Sequence, residues 1–242
     1  MPQQKQVPLF GVVGANVARC WWEPQAGGWV LTSRELEYYI DPKTGAPISR
    51  WLNPWTNATV PVMHVANSPV QGQFYNGSVG GAVITGQVNF DTTYNIYYPN
   101  ALAANPKFKK YSWQKNYESS ELFAYFTPAA ELADAHSTSA PGMHFTWTRT
   151  SQWLPWMAMD GLDGRLIFTA AGSKATSFEA LPAWLQKDIT ARLPLYRHAP
   201  ACYLNATSGT SWTYFADHFD AYEKGAQFPI AAPARKEQCL FP

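Results

Sequence analysis

Read for periodicity, the chain is a succession of short alternating or β-branched runs cut by turn residues. Trp29-Val30-Leu31-Thr32 leads into residues 36–41, and Pro42-Lys43-Thr44-Gly45 predicts a turn. Further strands are predicted at 60–65, 81–90, 94–98, 121–126, 144–150 and 165–170. Alternation assigns faces: Glu35, Glu37, Tyr39 and Asp41 share one side of their strand, and Glu121, Phe123 and Tyr125 share one side of theirs. Helical spacing is rare. Thr127-Pro128 opens a turn or two toward His136, and Pro182 starts the best helix, with Trp184, Leu185, Ile189 and Leu193 on one stripe. A third helix runs over 216–222 and stops at Gly225.

Strands every 8–15 residues with sparse helices predict a mainly β chain, a single domain over 1–242. The expected architecture is a single-domain antiparallel β-barrel, lipocalin-like, with a ligand cavity and a few short helices. Gly11-Val12-Val13-Gly14-Ala15-Asn16 has neither dinucleotide-loop spacing nor a helix after it and reads as a strand-edge turn. Gly77-Ser78-Val79-Gly80-Gly81 is followed by no Lys-Ser/Thr pair, and there is no GxSxG elbow. The five histidines show no metal-ligand spacing, so no cofactor and no metal are expected.

Composition sharpens this picture. Only 14% of residues are charged, against roughly 25% in an ordinary soluble domain, while aromatics reach 15% and include 11 Trp. A net charge of +1 gives no field to recruit nucleic acid, and no segment is apolar enough to span a bilayer. Cys20, Cys202 and Cys239 form an odd set without CxxC spacing, which argues against a disulfide framework. The amino terminus lacks an apolar signal core, so a cytoplasmic location is expected and the sequons at Asn57, Asn76 and Asn205 are taken as chance matches.

The aromatics gather in three boxes: Trp51-Leu52-Asn53-Pro54-Trp55-Thr56; residues 146–159, which contain Trp153-Leu154-Pro155-Trp156-Met157; and Thr210-Ser211-Trp212-Thr213-Tyr214-Phe215. Each Trp divides evenly between core filling and pocket lining. Indoles are awkward core fillers because their N–H needs a partner, so this many favour a cavity. The pocket candidates are Trp147, Trp153, Trp156, Trp212, Tyr214, Phe123, Tyr125, Tyr39 and Met157.

These boxes, together with residues 37–41, Asn67-Ser68-Pro69-Val70 (taken as a turn) and Leu181-Pro182, resemble the family known as domain of unknown function 1838 over nearly the whole chain. Some fungal relatives are associated with aromatic polyketide pathways. The resemblance therefore implies secondary metabolism and cofactor-free ring closure on a prenylated phenolic skeleton. Relatives tend to carry Glu just before the third box, where this chain has Gly209.

Closing an oxygen heterocycle by adding a phenol oxygen across an alkene needs an acid, a base and aromatic faces to shelter the carbocation. Glu121 is the first candidate acid and Glu37 the second; Arg149 is placed to hold a carboxylate or phenolate, and His64 is a possible base. The bland alternative is a Glu–Arg pair that fixes strand register. The expected partner is a hydrophobic aromatic small molecule, with a homodimer left open. A non-catalytic lipocalin-like carrier of the same molecules is the competing expectation, distinguished by how many ionisable groups lie inside the cavity.

Overall fold

Pro24-Gln25-Ala26-Gly27, with Gly27 at φ +64, turns the chain between two 13-residue strands, β1 (Gly11–Glu23) and β2 (Gly28–Ile40). The computed structural model describes residues 8–74, 82–84, 86–133, 136–159, 161–231 and 237–241. After β2 come β3 (Arg50–Leu52), β4 (Thr59–Pro61), β5 (Val65–Phe74), β6 (Ala82–Ile84) and β7 (Gln87–Pro99). Then follow β8 (Asn116–Pro128), β9 (His144–Ser151), β10 (Leu166–Ser173), α1 (Ala183–Arg192), α2 (Ser211–Asp217) and α3 (Phe219–Glu223). The Asn76 sequon, the glycine loop 77–81, residues 1–6, from which a signal was expected to be absent, and part of the turn before His136 lie outside the described residues.

The strands are antiparallel and form two main sheets, β1-β2-β5 and β10-β9-β8-β7-β6, with β3-β4 as a separate ribbon. Among the described residues no ladder joins the two sheets, so the expected closed barrel is not what the pairing gives. The sheets meet through side chains instead: Phe10, just before β1, packs on Tyr39 of β2 at 5.1 Å and on Phe168 of β10 at 6.3 Å.

Three local expectations change. Residues 11–16 are the start of β1, not a turn, because Asn16 pairs with Glu35 and Gly14 with Glu37 across the hairpin. Residues 67–70 lie inside β5; the register shifts between Ser33 and Glu35, so Ser68 and Pro69 together stand opposite one residue, a β-bulge. The third aromatic box is itself helical, as α2, where the helix was expected only over 216–222. Thr210 caps it by accepting from the Thr213 N–H, while the Thr213 hydroxyl accepts from the Thr210 N–H, so two otherwise orphaned donors are satisfied.

β2 carries the argument from sequence to layers. Its even positions (Arg34, Leu36, Tyr38) are buried under α1 and the carboxy-terminal segment. The Tyr38 hydroxyl donates to Asp188 of α1 at 2.6 Å, and its ring meets Trp184 edge-on at 5.1 Å. The α1 stripe falls where the spacing put it, with Leu185, Ile189 and Leu193 buried and Trp184 half-buried. Fully burying such an aliphatic side chain stabilises by about 1.5–3 kcal/mol, so this stripe anchors the helix layer. The odd positions of β2 (Ser33, Glu35, Glu37, Tyr39) turn the other way, toward the five-stranded sheet.

Cys202 and Cys239 form a disulfide, contrary to the reading of an odd cysteine set. Spacing could not show it because the partners are 37 residues apart and meet only where 203–205 and 238–240 pair as a short ladder. Cys20 is the unpaired, exposed cysteine.

Candidate functional site

The inner face of β2 brings Glu35 and Glu37 against the inner face of β8 and β9. On β8 the odd residues Tyr117, Ser119, Glu121, Phe123 and Tyr125 face inward, and on β9 Phe145, Trp147 and Arg149 do. Glu35 and Glu37 are surrounded by protein, yet both keep some accessible surface. Glu121 and Arg149 are similarly enclosed, at 15% and 16% side-chain exposure.

Arg149 is the hub. Its Nε lies 3.3 Å from Glu121 Oε1 and donates to the Ser119 hydroxyl at 3.2 Å, and its Nη2 donates to the Tyr117 hydroxyl. Desolvation works against the guanidinium charge, but Tyr117 and Glu121 outweigh it and hold the group more firmly protonated. The Trp147 indole N–H donates to the other Glu121 oxygen at 3.3 Å. Glu121 is therefore engaged on both oxygens.

Glu35 and Glu37 differ. Asn16 on β1 donates to Glu35 at 3.0 Å, and Asn67 on β5 also hydrogen-bonds it. Desolvation pushes the Glu35 carboxyl above its usual range, with the Asn16 bond opposing and the Glu121 charge reinforcing. Glu37 is raised from 4.5 to about 7, again by desolvation first, with Arg149 pulling down and Glu35 pushing up. A carboxyl titrating near neutrality inside an enclosed space is suited to giving and taking a proton. Beside it, the wholly buried Tyr39 hydroxyl interacts with the Glu37 carboxyl and with the buried Trp156 indole N–H, neither contact reaching strict hydrogen-bond geometry.

Aromatic rings complete the walls. Trp147 lies 5.7 Å from Phe168 and 6.3 Å from Phe123; Phe123 stacks with Tyr125 at 5.8 Å, and Tyr125 with Phe90 at 4.9 Å. At the other end Tyr98 meets Tyr117 at 5.0 Å, and Tyr117 rests on Trp212 at 4.1 Å.

Of the residues expected from sequence, Glu37, Glu121, Arg149, Tyr39, Trp147, Phe123 and Tyr125 converge here, with Trp156 behind Tyr39 and Trp212 behind Tyr117. Four do not. His64 sits on the far side of β2, where its Nδ1 accepts the Tyr39 backbone N–H at 3.1 Å, and it lines a separate cavity of about 530 Å³ with Tyr38, Trp184, Asp188 and Arg192. Desolvation, helped by Arg192, lowers its pKa to about 4. Tyr214 bonds to Ile230 and lines another cavity of about 840 Å³. The Trp153 indole donates to the Leu162 carbonyl at 2.9 Å and packs on Trp55, and Met157 is fully buried in the core. Neither of these cavities is lined by Glu35, Glu37 or Arg149; their size alone does not make them the site of acid–base chemistry.

Asn16, Asn67, Tyr98, Tyr117 and Ser119 were missed. The inward parity of β8 extends to Tyr117 and Ser119, but the sequence alternation was recognised only from 121. Gly209 is tight against Asn67: a Cβ there would fall 3.1 Å from Asn67 Oδ1. Among the described residues no group of His, Cys, Asp or Glu is arranged to hold a metal ion, and no helix is long and apolar enough to cross a membrane.

No curated protein and no solved structure matches the chain. The model of a family described as "Protein of unknown function (DUF1838)" matches residues 1–219, nine-tenths of its length and every strand of both sheets, and the chain belongs to that family.

Proposed function

We propose that the space between the two sheets is the active site of a cofactor-independent enzyme acting on a hydrophobic aromatic substrate, by acid–base intramolecular cyclisation. The observation that carries this is the gathering of Glu35, Glu37, Glu121 and Arg149 between the two sheets, with Tyr39 and Trp147 beside them. A carrier of hydrophobic molecules gains nothing from enclosing four ionisable groups, each of which costs desolvation free energy. Two facing sheets with a ligand space between them also suit an incompletely closed, lipocalin-like barrel.

The roles shift from those first expected. Glu121 is bound to Arg149 and Trp147, which makes it a positioning residue; Glu37 becomes the proton donor. In the proposed step the protonated Glu37 gives its proton to an alkene carbon. The phenol oxygen then bonds to the resulting carbocation, and the phenolic proton passes to a carboxylate of the Glu35–Glu37 pair. Atoms balance, and the product is an isomer of the substrate. Arg149, with its guanidinium occupied by Glu121, Ser119 and Tyr117, is no longer assigned to bind a phenolate or carboxylate.

The test is incubation of the protein, without cofactors, with a prenylated polycyclic phenol, followed by chiral chromatography and mass measurement. A faster, single-enantiomer product of unchanged mass, lost in Glu37→Gln, supports the reading. Binding that quenches Trp fluorescence with only racemic background product would favour the carrier. The Cys202–Cys239 disulfide favours an oxidising compartment over the cytoplasm expected from sequence.

A further inference from the structure

The cavity behind β2, on the face turned away from the five-stranded sheet, holds a hydrogen-bond donor that no protein group uses. β5 begins at Val65, opposite Glu37, so Tyr39 lies beyond the end of the β2–β5 ladder. Its N–H is met instead by the His64 ring, which accepts through Nδ1 at 3.1 Å. A backbone N–H can only donate, so Nδ1 carries no proton, and in the neutral ring Nε2 carries it. Desolvation and Arg192 keep the ring neutral at about pH 7. His64 is 5% exposed, and among the described residues its Nε2–H has no acceptor. Nε2 is not sealed off by protein; it opens on the cavity of about 530 Å³ that His64 lines. A buried donor without an acceptor is costly, and an acceptor carried in by a ligand would satisfy it.

The charges around this cavity favour an anion. Arg50 of β3 lines it, with Asp188 and Arg192 of α1. Asp188 accepts from Nε and Nη2 of Arg192 and from the Tyr38 hydroxyl, so its charge is balanced and both its oxygens are occupied. Arg50 is exposed and has no ion pair among the described residues; its Nη2 makes a 3.3 Å bond to the Thr59 carbonyl. Pro61, Val62, Trp184 and Phe228 supply apolar walls. Ser49 also lines the space, yet Ser49, His64 and Asp188 do not make a nucleophilic triad. The base for such a serine would be Nε2, which is protonated here, and Asp188 is bonded to Tyr38 and Arg192 instead. We propose that this cavity is a second ligand site, for an amphipathic organic carboxylate: an oxygen accepts from the His64 Nε2–H, Arg50 balances the charge, and the hydrophobic body lies against Trp184 and Phe228. The volume is in the range of sites that enclose small organic molecules. The site is independent of the inter-sheet proposal, because Tyr38 lines it while Tyr39 faces the other way.

The experiment is calorimetric titration of the full chain with naphthylacetate and its uncharged isostere naphthylacetamide. The carboxylate is expected to bind about tenfold or more tighter than the amide, because a hydrogen bond to a charged acceptor is the stronger one. His64→Asn keeps an acceptor near the Nδ1 position for the Tyr39 N–H and removes the Nε2–H. It should weaken naphthylacetate about tenfold and the amide by less. Arg50→Gln, at an exposed position, should remove most of the preference for the charged probe. Nitrogen NMR of the His64 ring in the native chain tests the contact even if His64→Asn does not fold: Nε2 carries the proton before titration, and its resonance moves as naphthylacetate is added. Equal affinity for the two probes overturns the proposal, as does binding of neither. Naphthylacetate binding that is lost in Glu37→Gln but kept in His64→Asn and Arg50→Gln also overturns it, and puts that ligand between the sheets instead.

Discussion

Glu121 and Arg149 stand directly opposite each other across the β8–β9 ladder and close a 3.3 Å ion pair on the inner face of the sheet. The two ends of that pair act on Glu37 with opposite sign: Arg149 lowers its pKa and Glu121 raises it. Glu121→Gln is therefore expected to move the Glu37 titration to lower pH, and Arg149→Met to move it to higher pH. Carboxyl-carbon NMR of labelled glutamate follows both. Shifts of the same sign in the two variants would show that packing, not charge, sets the Glu37 titration. Arg149→Met also strips the cation from three enclosed carboxylates and should cost about 3–5 kcal/mol of stability at neutral pH.

Stability against pH separates Glu37 from His64. Glu37 titrates at about 7 in the folded chain against 4.5 when unfolded. Between those values the folded state holds a proton that the unfolded state has lost. Stability then falls as pH rises through that window, by roughly 3 kcal/mol, and the full loss persists above it. His64 is lowered from 6.5 to about 4, so between those values it is the unfolded state that holds the extra proton, and stability rises with pH. The two slopes oppose each other over most of the same range. Chemical denaturation between about pH 4.5 and 7 should show a slope more positive than the native one in Glu37→Gln and more negative in His64→Gln, with Glu35, also raised, adding to the fall in all three.

The parity of β2 was the most legible part of the site. Glu35, Glu37 and Tyr39 alternate in sequence and share a face in the structure, because the period-2 pleat admits no other outcome. Asn16 was hidden for a physical reason. β1 is an edge strand whose residues are mostly half-buried or exposed, so Gly-Val-Val-Gly-Ala-Asn carries no clean alternation. His64 precedes Val65, the partner of Glu37, but lies on the opposite side of the sheet. Tyr214 was misplaced because the third aromatic box folds as a capped helix, which turns it toward Ile230. Met157 lies in the core, and Trp153 is half-buried at its edge against Trp55.

The disulfide is expected to matter for stability rather than for the site. Its cysteines are 37 residues apart, and closing a loop of that size removes unfolded-state entropy equivalent to about 4 kcal/mol. Cys202→Ser should lower the thermal midpoint by the same amount as adding reductant to the native chain, and reductant should have no further effect on the variant. A midpoint unmoved by reductant would mean that the 203–205 and 238–240 ladder holds the segment without the covalent link.

Arg34 provides the last test, on the face of β2 turned away from the five-stranded sheet. It is 3% exposed, and its guanidinium reaches the Ser68 hydroxyl at 3.1 Å, the His198 carbonyl and the Glu237 carboxylate. Glu237 is 31% exposed, so the two ends are unequal. Removing Glu237 leaves a buried guanidinium with neutral acceptors only, while removing Arg34 leaves a carboxylate that water can reach. Glu237→Gln should therefore cost about 1–3 kcal/mol, since Ser68 and the His198 carbonyl still satisfy part of the fork. Arg34→Met should cost more, because it also breaks the tie between β2, β5 and the segment after α1. Denaturant midpoints of the two single variants and the double variant give the coupling; a double variant equal to the sum of the singles would mean the pair does not interact.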